Sequence, residues 1–466
     1  MEFVTGAIDR EDIELKELFS DNNQGNKVVI EGAVHSIRNM GEISFVILRK
    51  REGLIQTVFE EGTYDENNNN EKGNNENKHS RDTYDKAKGY ERKLREGDYI
   101  RIKGIVRAEE RAPRGKEVCV ECFEYISKVS EALPIPVDKW KLGTSLETKL
   151  NHRAIALRNV RERAKFRIQE AIGRGFREYL QKQGFTEVHT PKIGAKSAEG
   201  GANMFKLTYF HKPAVLQQSP QLYKQMMVGV FDRVYEVGPV FRAEKHNTRR
   251  HLNEYTSMDL EMGYIRGFMD ICQMETGFLQ YTIKLLASEY ADELRILRIE
   301  LPRVDKIPYV RFDEAKKLVS EKYGRVVRNP FDLEPEEEEL IGRYFKEEYD
   351  SDFVFVTHYP SKKRPFYAMD DSADDRYTLS FDLLYKGLEI TTGGQRIHEY
   401  DMLRKKLEKK GMTEEGLEDY LDVFRYGMPP HGGLGIGLER LTMQLLGEDN
   451  VREACLFPRD LSRLSP

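Results

Sequence analysis

At 466 residues the chain exceeds one ordinary domain, and two domains are expected. Its charged content of 33% is nearly balanced, at a formal net charge of -5, which excludes a global pull toward nucleic acid and confines polyanion binding to local patches. Four cysteines point to a reducing compartment, and no run of about 18 apolar residues is present to span a membrane.

The opening segment MEFVTGAIDREDIELKEL is acidic and has no apolar stretch, so no signal peptide is expected and the protein reads as soluble and cytoplasmic. Short β-rich runs follow at 27–34, 43–48, 54–59, 98–106 and 117–129, with a turn at Arg38-Asn39-Met40-Gly41. Five such strands in about 100 residues suit a small Greek-key barrel of the OB type. The Asn-rich stretch DENNNNEKGNNENK at 65–78 cannot build a core and is expected to be a surface insertion. Arg92, Lys93, Arg95, Arg101, Lys103 and Arg107 read as a solvated basic face. Cys119 and Cys122 form a CxxC within a strand. Strand residues three apart point to opposite faces, and no second pair completes a ligand set, so structural zinc is not expected.

The Pro-bearing segment LPIPVDKWKLG at 133–143 marks a linker, giving expected domains at 1–130 and 159–466 joined through 131–158. A helix is predicted over 160–181, with Phe166, Ile168, Ile172 and Phe176 on one side. Strong strands at 234–241, 353–358, 376–385 and 388–392 lack strict βαβ spacing, so the second domain is expected to be α+β, an antiparallel sheet with flanking helices. Residues 305–351 read as helical. The acidic run 334–339 fits a helix N-terminus, with Pro335 in the first turn and negative charge at the positive dipole end, and is read as structural.

The segment GMPPHGGLGIGLERLTMQLLG at 427–447 places Gly432, Gly433, Gly435 and Gly437 before Leu438, Glu439 and Arg440. Glycines of this kind permit close ligand approach and a sharp turn into a helix, whose first-turn arginine reaches an anion or stacks on a ring. Upstream, Phe241-Arg242-Ala243-Glu244 closes a strand, and a strand-end arginine can grip phosphate and carboxylate together. Asp382 and Glu389 lie seven apart around a short turn; adjacent strands would bring them to one side as magnesium ligands. The run EITTGGQR ends in Arg396 beside small residues. With Lys224 of QSPQLYK and Glu199 of SAEGGA, it would suit a ligand bearing carboxylates and an ammonium.

Three elements occur in order: GFTEVHTP, FRAEKHNTRRHLNEYTSMD and GLGIGLER. With them the chain, from about residue 15 to its end, resembles the class II aminoacyl-tRNA synthetases, and within these the aspartyl-tRNA synthetases of archaeal and eukaryotic type. The resemblance implies an antiparallel-sheet catalytic domain that activates L-aspartate with ATP and charges tRNA(Asp). Pro191 would sit at a homodimer interface. Arg242 would hold the α-phosphate and the reacting carboxylate. Glu244, His251, Leu252 and Gly437 would contact ATP, and Tyr255 and Arg440 would sandwich its adenine. Asp382 and Glu389, with the Thr392 hydroxyl, would hold Mg2+; other members often have serine at Thr392. Lys224 and Arg396 would grip the aspartate side chain, Glu199 its ammonium, and Gln221 would help orient it. In the barrel, Phe45 would stack an anticodon base, with Gln56 and Arg38 on the same face. At Ala33 many archaeal members carry tryptophan, in a position tied to anticodon discrimination. Charging of tRNA(Asn) as well, an asparaginyl specificity, a tRNA-independent amide-forming ligase and an inactive nucleic-acid-binding protein are the competing readings. Lys224 favours a charged side-chain ligand, and the retained barrel and intact Arg242, Glu389 and Arg440 weigh against the last two.

Overall fold

Alternation of apolar and polar residues along the first strands curls them into a barrel. A computed structural model describes residues 6, 8, 10–65, 94–196, 203–245 and 248–466. β1 (Lys27–Met40), β2 (Ile43–Arg49), β3 (Leu54–Asp65), β4 (Tyr99–Ala108) and β5 (Lys116–Ser127) close in the order β1-β2-β3-β5-β4, antiparallel except for β3 with β5. Inward Ile30, Val46, Leu48, Ile55, Phe59, Ile100, Ile102 and Phe123 fill it, so this is the five-stranded OB barrel the spacing predicted. β1 runs on through the expected turn at Arg38 and Asn39, and the chain reverses at Gly41, whose φ of 70° is left-handed. The Asn-rich insertion, Arg92 and Lys93 lie outside the described residues. Arg101 pairs with Glu31 and Glu124, and Arg107 with Glu117, so these cations are largely neutralised by the neighbouring strands β1 and β5.

The cysteine reading needs correction. A bulge shifts the β4–β5 register so that Lys103 opposes Cys122 while Gly104 opposes Val120. Val118, Val120 and Phe123 all enter the core, which leaves Cys119 and Cys122 on the same outer face. Among the described residues no third His, Cys, Asp or Glu joins them in a ligand cluster.

The chain divides into two compact units, Met1–Val160 and Arg161–Pro466. Segment 133–143 belongs to the first, where the Asn159 amide donates to the carbonyls of Val137 and Lys139.

The second unit is built on one large sheet. Its strands are β6 (Thr186–Glu187), β10 (Arg233–Phe241), β11 (Glu254–Gly263), β12 (Tyr309–Arg311), β13 (Phe353–Thr357), β16 (Ser380–Tyr385), β17 (Leu388–Gln395) and β18 (His431–Gly437). Two small sheets hold β7 (Ile193–Gly194), β8 (Lys206–Tyr209) and β9 (Lys212–Leu216), and β14 (Asp370–Asp371) with β15 (Asp374–Thr378). The large sheet runs β12-β13-β16-β17-β18-β11-β10-β6, antiparallel except at the outermost pairings β12–β13 and β10–β6. The strand predicted over 376–385 is therefore two, because Leu379 breaks it and Asp374–Thr378 turns back on Asp370–Asp371.

Helices α1 (Val160–Lys182) and α2 (Met269–Glu289) cover one face of this sheet. Ile168, Ile172 and Phe176 of α1 are buried, and Phe176 meets Phe278 edge-on at 5.2 Å between ring centroids. Phe166 is only half-buried and lies outside this core; Ala164, Ala171 and Leu180 complete the buried stripe instead. The 305–351 region carries α3 (Phe312–Tyr323) and α4 (Pro335–Tyr349). As predicted, the acidic run starts α4. Glu334 is the N-cap, Pro335 enters the first turn and Glu337 closes a capping box.

Candidate active site

The opposite face of the large sheet carries the site, and strand register decides which side chains reach it. Asp382 pairs with Thr392, Thr392 with Gly435, and Gly435 with Asp259, so one row across β16, β17, β18 and β11 faces a single cavity. Two residues along, Ser380, Gly394, Gly433 and Glu261 form a second row on the same face. The GLGIG run is thus a strand with period 2. Leu434 and Ile436 enter the core, while Gly433, Gly435 and Gly437 lay a floor without side chains. The expected sharp entry into a helix is present, with no residue between strand and α5 (Leu438–Leu446), but it needs no left-handed glycine: Gly437 is the N-cap with an ordinary φ of -76°. Gly433 is needed for strand contact, since a Cβ on it would lie 2.2 Å from both the Leu260 carbonyl and Glu261 Oε2.

Asp382 and Glu389 do share a side, by a route the sequence did not suggest. Asp382 faces Thr392, whereas Glu389 faces Leu384, and a bulge at Ile390 separates the two pairings. Three residues apart on a regular strand, Glu389 and Thr392 would point oppositely; the extra residue restores them to one face. The Thr392 hydroxyl then lies 3.4 Å from Glu389 Oε1. Asp382 is buried in ionic contact with Arg364 at 2.8 Å, and its Oδ1 has no aligned hydrogen bond among the described residues. Burial and the nearby Glu389 carboxylate raise the Asp382 carboxyl to about 6, against the pull of Arg364. A buried acid held between another acid and a single cation leaves a donor set with capacity for a divalent ion.

The cavity, of about 390 Å³, gathers every predicted residue of this unit except two. At one end stand Arg242, Glu244, His251, Leu252, Tyr255, Gly437 and Arg440. Arg242, where β10 ends, lies 5.7 Å from the Tyr255 ring centroid and 3.9 Å from Glu244, whose other oxygen is 3.7 Å from His251 Nε2. Arg440, in the first turn of α5, donates to the carbonyls of Glu389 and Arg250. At the other end Gln221 and Lys224, both on α6 (Gln221–Phe231), converge with Arg396, where β17 ends. Of the exceptions, Glu199 lies outside the described residues and Pro191 is exposed away from the cavity. In the barrel, Arg38 opposes Phe45 and Ile47 opposes Gln56, so Arg38, Phe45 and Gln56 share an outer face; Gln56 donates to Glu117 at 2.7 Å.

Several working residues escaped the sequence reading. Asp259 and Glu261 hold the two cations: Lys224 Nζ is 2.9 Å from Asp259 and 3.4 Å from Glu261, and Arg396 Nε is 2.8 Å from Glu261. Burial would raise the Glu261 carboxyl, but Arg396 and Lys224 outweigh it and hold the group below the usual carboxylate range. Their signal was the alternation Asp259-Leu260-Glu261-Met262, acids to the cavity and apolars to the core. Arg364, in an irregular loop, gave no signal at all. The acidic run at 334–339 also does more than start a helix. Glu338 pairs with Arg250 and accepts from the Glu389 amide at 3.3 Å, and burial beside Glu389 raises it to about 7.

This arrangement has known counterparts. Residues 145–461 match the family described as tRNA synthetases class II (D, K and N), and residues 28–126 match the OB-fold nucleic acid binding domain. An aspartate–tRNA(Asp/Asn) ligase of Deinococcus radiodurans is 43% identical, over 95% of this chain and 97% of that relative. An aspartate–tRNA(Asp) ligase of Pyrococcus abyssi is 39% identical over the same shares of each. Among solved structures, asparaginyl-tRNA synthetase from Pyrococcus horikoshii with asparaginyl-adenylate is similar at a TM-score of 0.84 and 34% identity, covering 98% of this chain and all of that one. Aspartyl tRNA synthetase from Entamoeba histolytica follows at 0.83 and 31%, covering 98% and 92%. The chain, with its glycine-floored sheet and its barrel, belongs to the class II tRNA synthetases (D, K and N).

Proposed function

We propose that the chain is an aspartate–tRNA ligase, which activates L-aspartate with ATP and transfers the aspartyl group to the 3' end of tRNA(Asp). The observation that carries this reading is the single cavity holding phosphate-type cations at one end and the Lys224–Arg396 pair at the other. The amino acid's own carboxylate oxygen attacks the α-phosphorus, the bond from that phosphorus to the bridging oxygen breaks, and pyrophosphate leaves. A tRNA ribose hydroxyl then takes the acyl group and AMP departs. No side chain need act as nucleophile; rate comes from orientation and from charge aimed where charge develops.

In this reading Arg242 bridges the α-phosphate and the attacking carboxylate. Glu244, His251, Leu252 and Gly437 bound the nucleotide, and Tyr255 and Arg440 enclose its base. Asp382, Glu389 and Thr392 would hold Mg2+, which when bound neutralises phosphate charge; the raised, incompletely hydrogen-bonded Asp382 supports that fit. Lys224 and Arg396 take the side-chain carboxylate, and Gln221, with Glu199, the ammonium. Residues 1–130 form the anticodon-reading domain through Arg38, Phe45 and Gln56, 131–158 its hinge, and 159–466 the catalytic domain. We also propose a cytoplasmic homodimer with the exposed Pro191 at its interface. Among the described residues no helix is long and apolar enough to cross a membrane.

A second reading, charging of tRNA(Asn) as well, is favoured by the Asp/Asn naming of the Deinococcus relative. ATP–pyrophosphate exchange with aspartate and with asparagine tests the amino acid, and charging of tRNA(Asp) and tRNA(Asn) transcripts tests the nucleic acid. Exchange with asparagine alone would overturn the proposal.

A further inference from the structure

A buried hydrogen-bond chain runs from the amino-acid end of the cavity to His431, at the start of the glycine strand. Its members Gln221, Gln225, Tyr420 and His431 are each at most 3% exposed. Its direction can be worked out from one fixed point. The Pro429 carbonyl, 2.8 Å from His431 Nδ1, can only accept, so Nδ1 carries the hydrogen. Burial holds this imidazole below its ordinary pKa and so in the neutral form, which leaves a lone pair on Nε2. Gln225 Nε2, 3.0 Å away, must therefore donate to it. That turns Gln225 Oε1 the other way, where it accepts from the Tyr420 hydroxyl at 3.1 Å and from Gln221 Nε2 at 2.9 Å. The Gln221 amide nitrogen is thus committed inward, and its Oε1 faces Arg396, whose Nη2 is 3.5 Å away, at the cavity.

We infer that His431 is a positioning residue: through Gln225 it fixes the polarity of the Gln221 amide, so that a carbonyl oxygen meets the substrate ammonium while Lys224 and Arg396 take the carboxylate. The flipped amide would aim donors at both the Arg396 guanidinium and the ammonium, leaving three donor groups without an acceptor between them. This inference rests on the amino-acid-activating reading above.

Two substitutions of similar size separate polarity from packing. Gln225→Met removes the acceptor that holds Gln221 Nε2, whereas Gln225→Glu keeps that acceptor and pairs its second oxygen with His431 Nε2 through one added proton. In ATP–pyrophosphate exchange, with whichever amino acid supports it, Gln225→Met should raise the amino-acid KM at least tenfold. The KM for ATP should stay within twofold. Gln225→Glu should keep the amino-acid KM within about threefold of the parent. Equal impairment by both variants, or an unchanged KM in Gln225→Met, overturns the inference. If Gln225→Met fails to fold, long-range 1H–15N spectra of the parent protein, labelled at its 10 histidines, decide instead. His431 is expected as the Nδ1–H tautomer, and an Nε2–H ring sinks the chain of reasoning. Parent protein without exchange for any amino acid defeats the functional reading, and the tautomer still tests the hydrogen-bond direction.

Discussion

Glu261→Gln is the perturbation that probes the cavity most directly, because it keeps shape and removes one charge. At an effective dielectric of about 20, the 2.8 Å contact to Arg396 and the 3.4 Å contact to Lys224 are worth roughly 6 and 5 kcal/mol before desolvation. Desolvation of buried ions offsets several kcal/mol of this, and Lys224 keeps Asp259 as a partner. Arg396 is then the cation left poorly compensated, and a net stability loss of about 3 kcal/mol is expected at pH 7. The pH dependence has a definite sign. Because the folded-state carboxyl lies below its ordinary range, its contribution is present above the unfolded pKa and is lost as pH falls through the folded value. Urea and thermal unfolding of parent and variant should therefore give a gap that is full at neutral pH and narrows in acid. A gap below about 1 kcal/mol at pH 7, or one that widens on acidification, would refute the electrostatic account.

Arg242→Ala should lower ATP–pyrophosphate exchange by about 10²–10³-fold, as loss of one oxyanion-stabilising donor does elsewhere; a near-parental rate removes Arg242 from that role. Glu275 lies on α2 beneath the sheet. Burial raises its carboxyl to about 8 against the hydrogen bond donated by the Thr391 hydroxyl at 2.5 Å. Its stabilising contribution is complete below the unfolded carboxylate pKa and lost as pH rises toward 8, so the parent should lose stability relative to Glu275→Gln across that window, at up to about 1.4 kcal/mol per pH unit. Parallel pH curves would contradict this. Gly433→Ala should cost about 1–3 kcal/mol in unfolding measurements, because its Cβ meets backbone on β11, and parental stability would show that the strands can separate. Phe45→Ala should reduce tRNA charging while amino-acid activation stays within twofold; equal loss of both would move Phe45 into the barrel's structural support.

What the sequence made legible follows the scale of the interaction. Runs such as Ile43–Arg49 and the helix Val160–Lys182 are governed by local periodicity, and their bounds were readable within a residue or two. Residues 376–385 read as one strand because nothing local marks Leu379 as a break; the division is set by which partner each half finds. The two bulges are of the same kind. At Ile390 and between Val120 and Cys122 the extra residue is visible only in the register with the neighbouring strand, yet it decides which side chains share a face. Arg242, Lys224, Arg396 and Arg440 were legible because each sits in a short contiguous motif, FRAE, QSPQLYK, TTGGQR and GLER. The counter-charges of Lys224 and Arg396, Asp259 and Glu261, were not, since those pairings join segments 35 and 135 residues apart.

The glycine floor has a consequence for how binding can change. A surface made of backbone has no rotamers, so it loses no side-chain entropy when a ligand settles on it, and it is already in its bound shape. At Gly433 it also offers nothing to exchange, because a side chain placed there invades the next strand. Selectivity in such a pocket has to be rewritten from the walls, on α6, at the end of β17 and along β11, while the floor stays common to every ligand the cavity could come to accept.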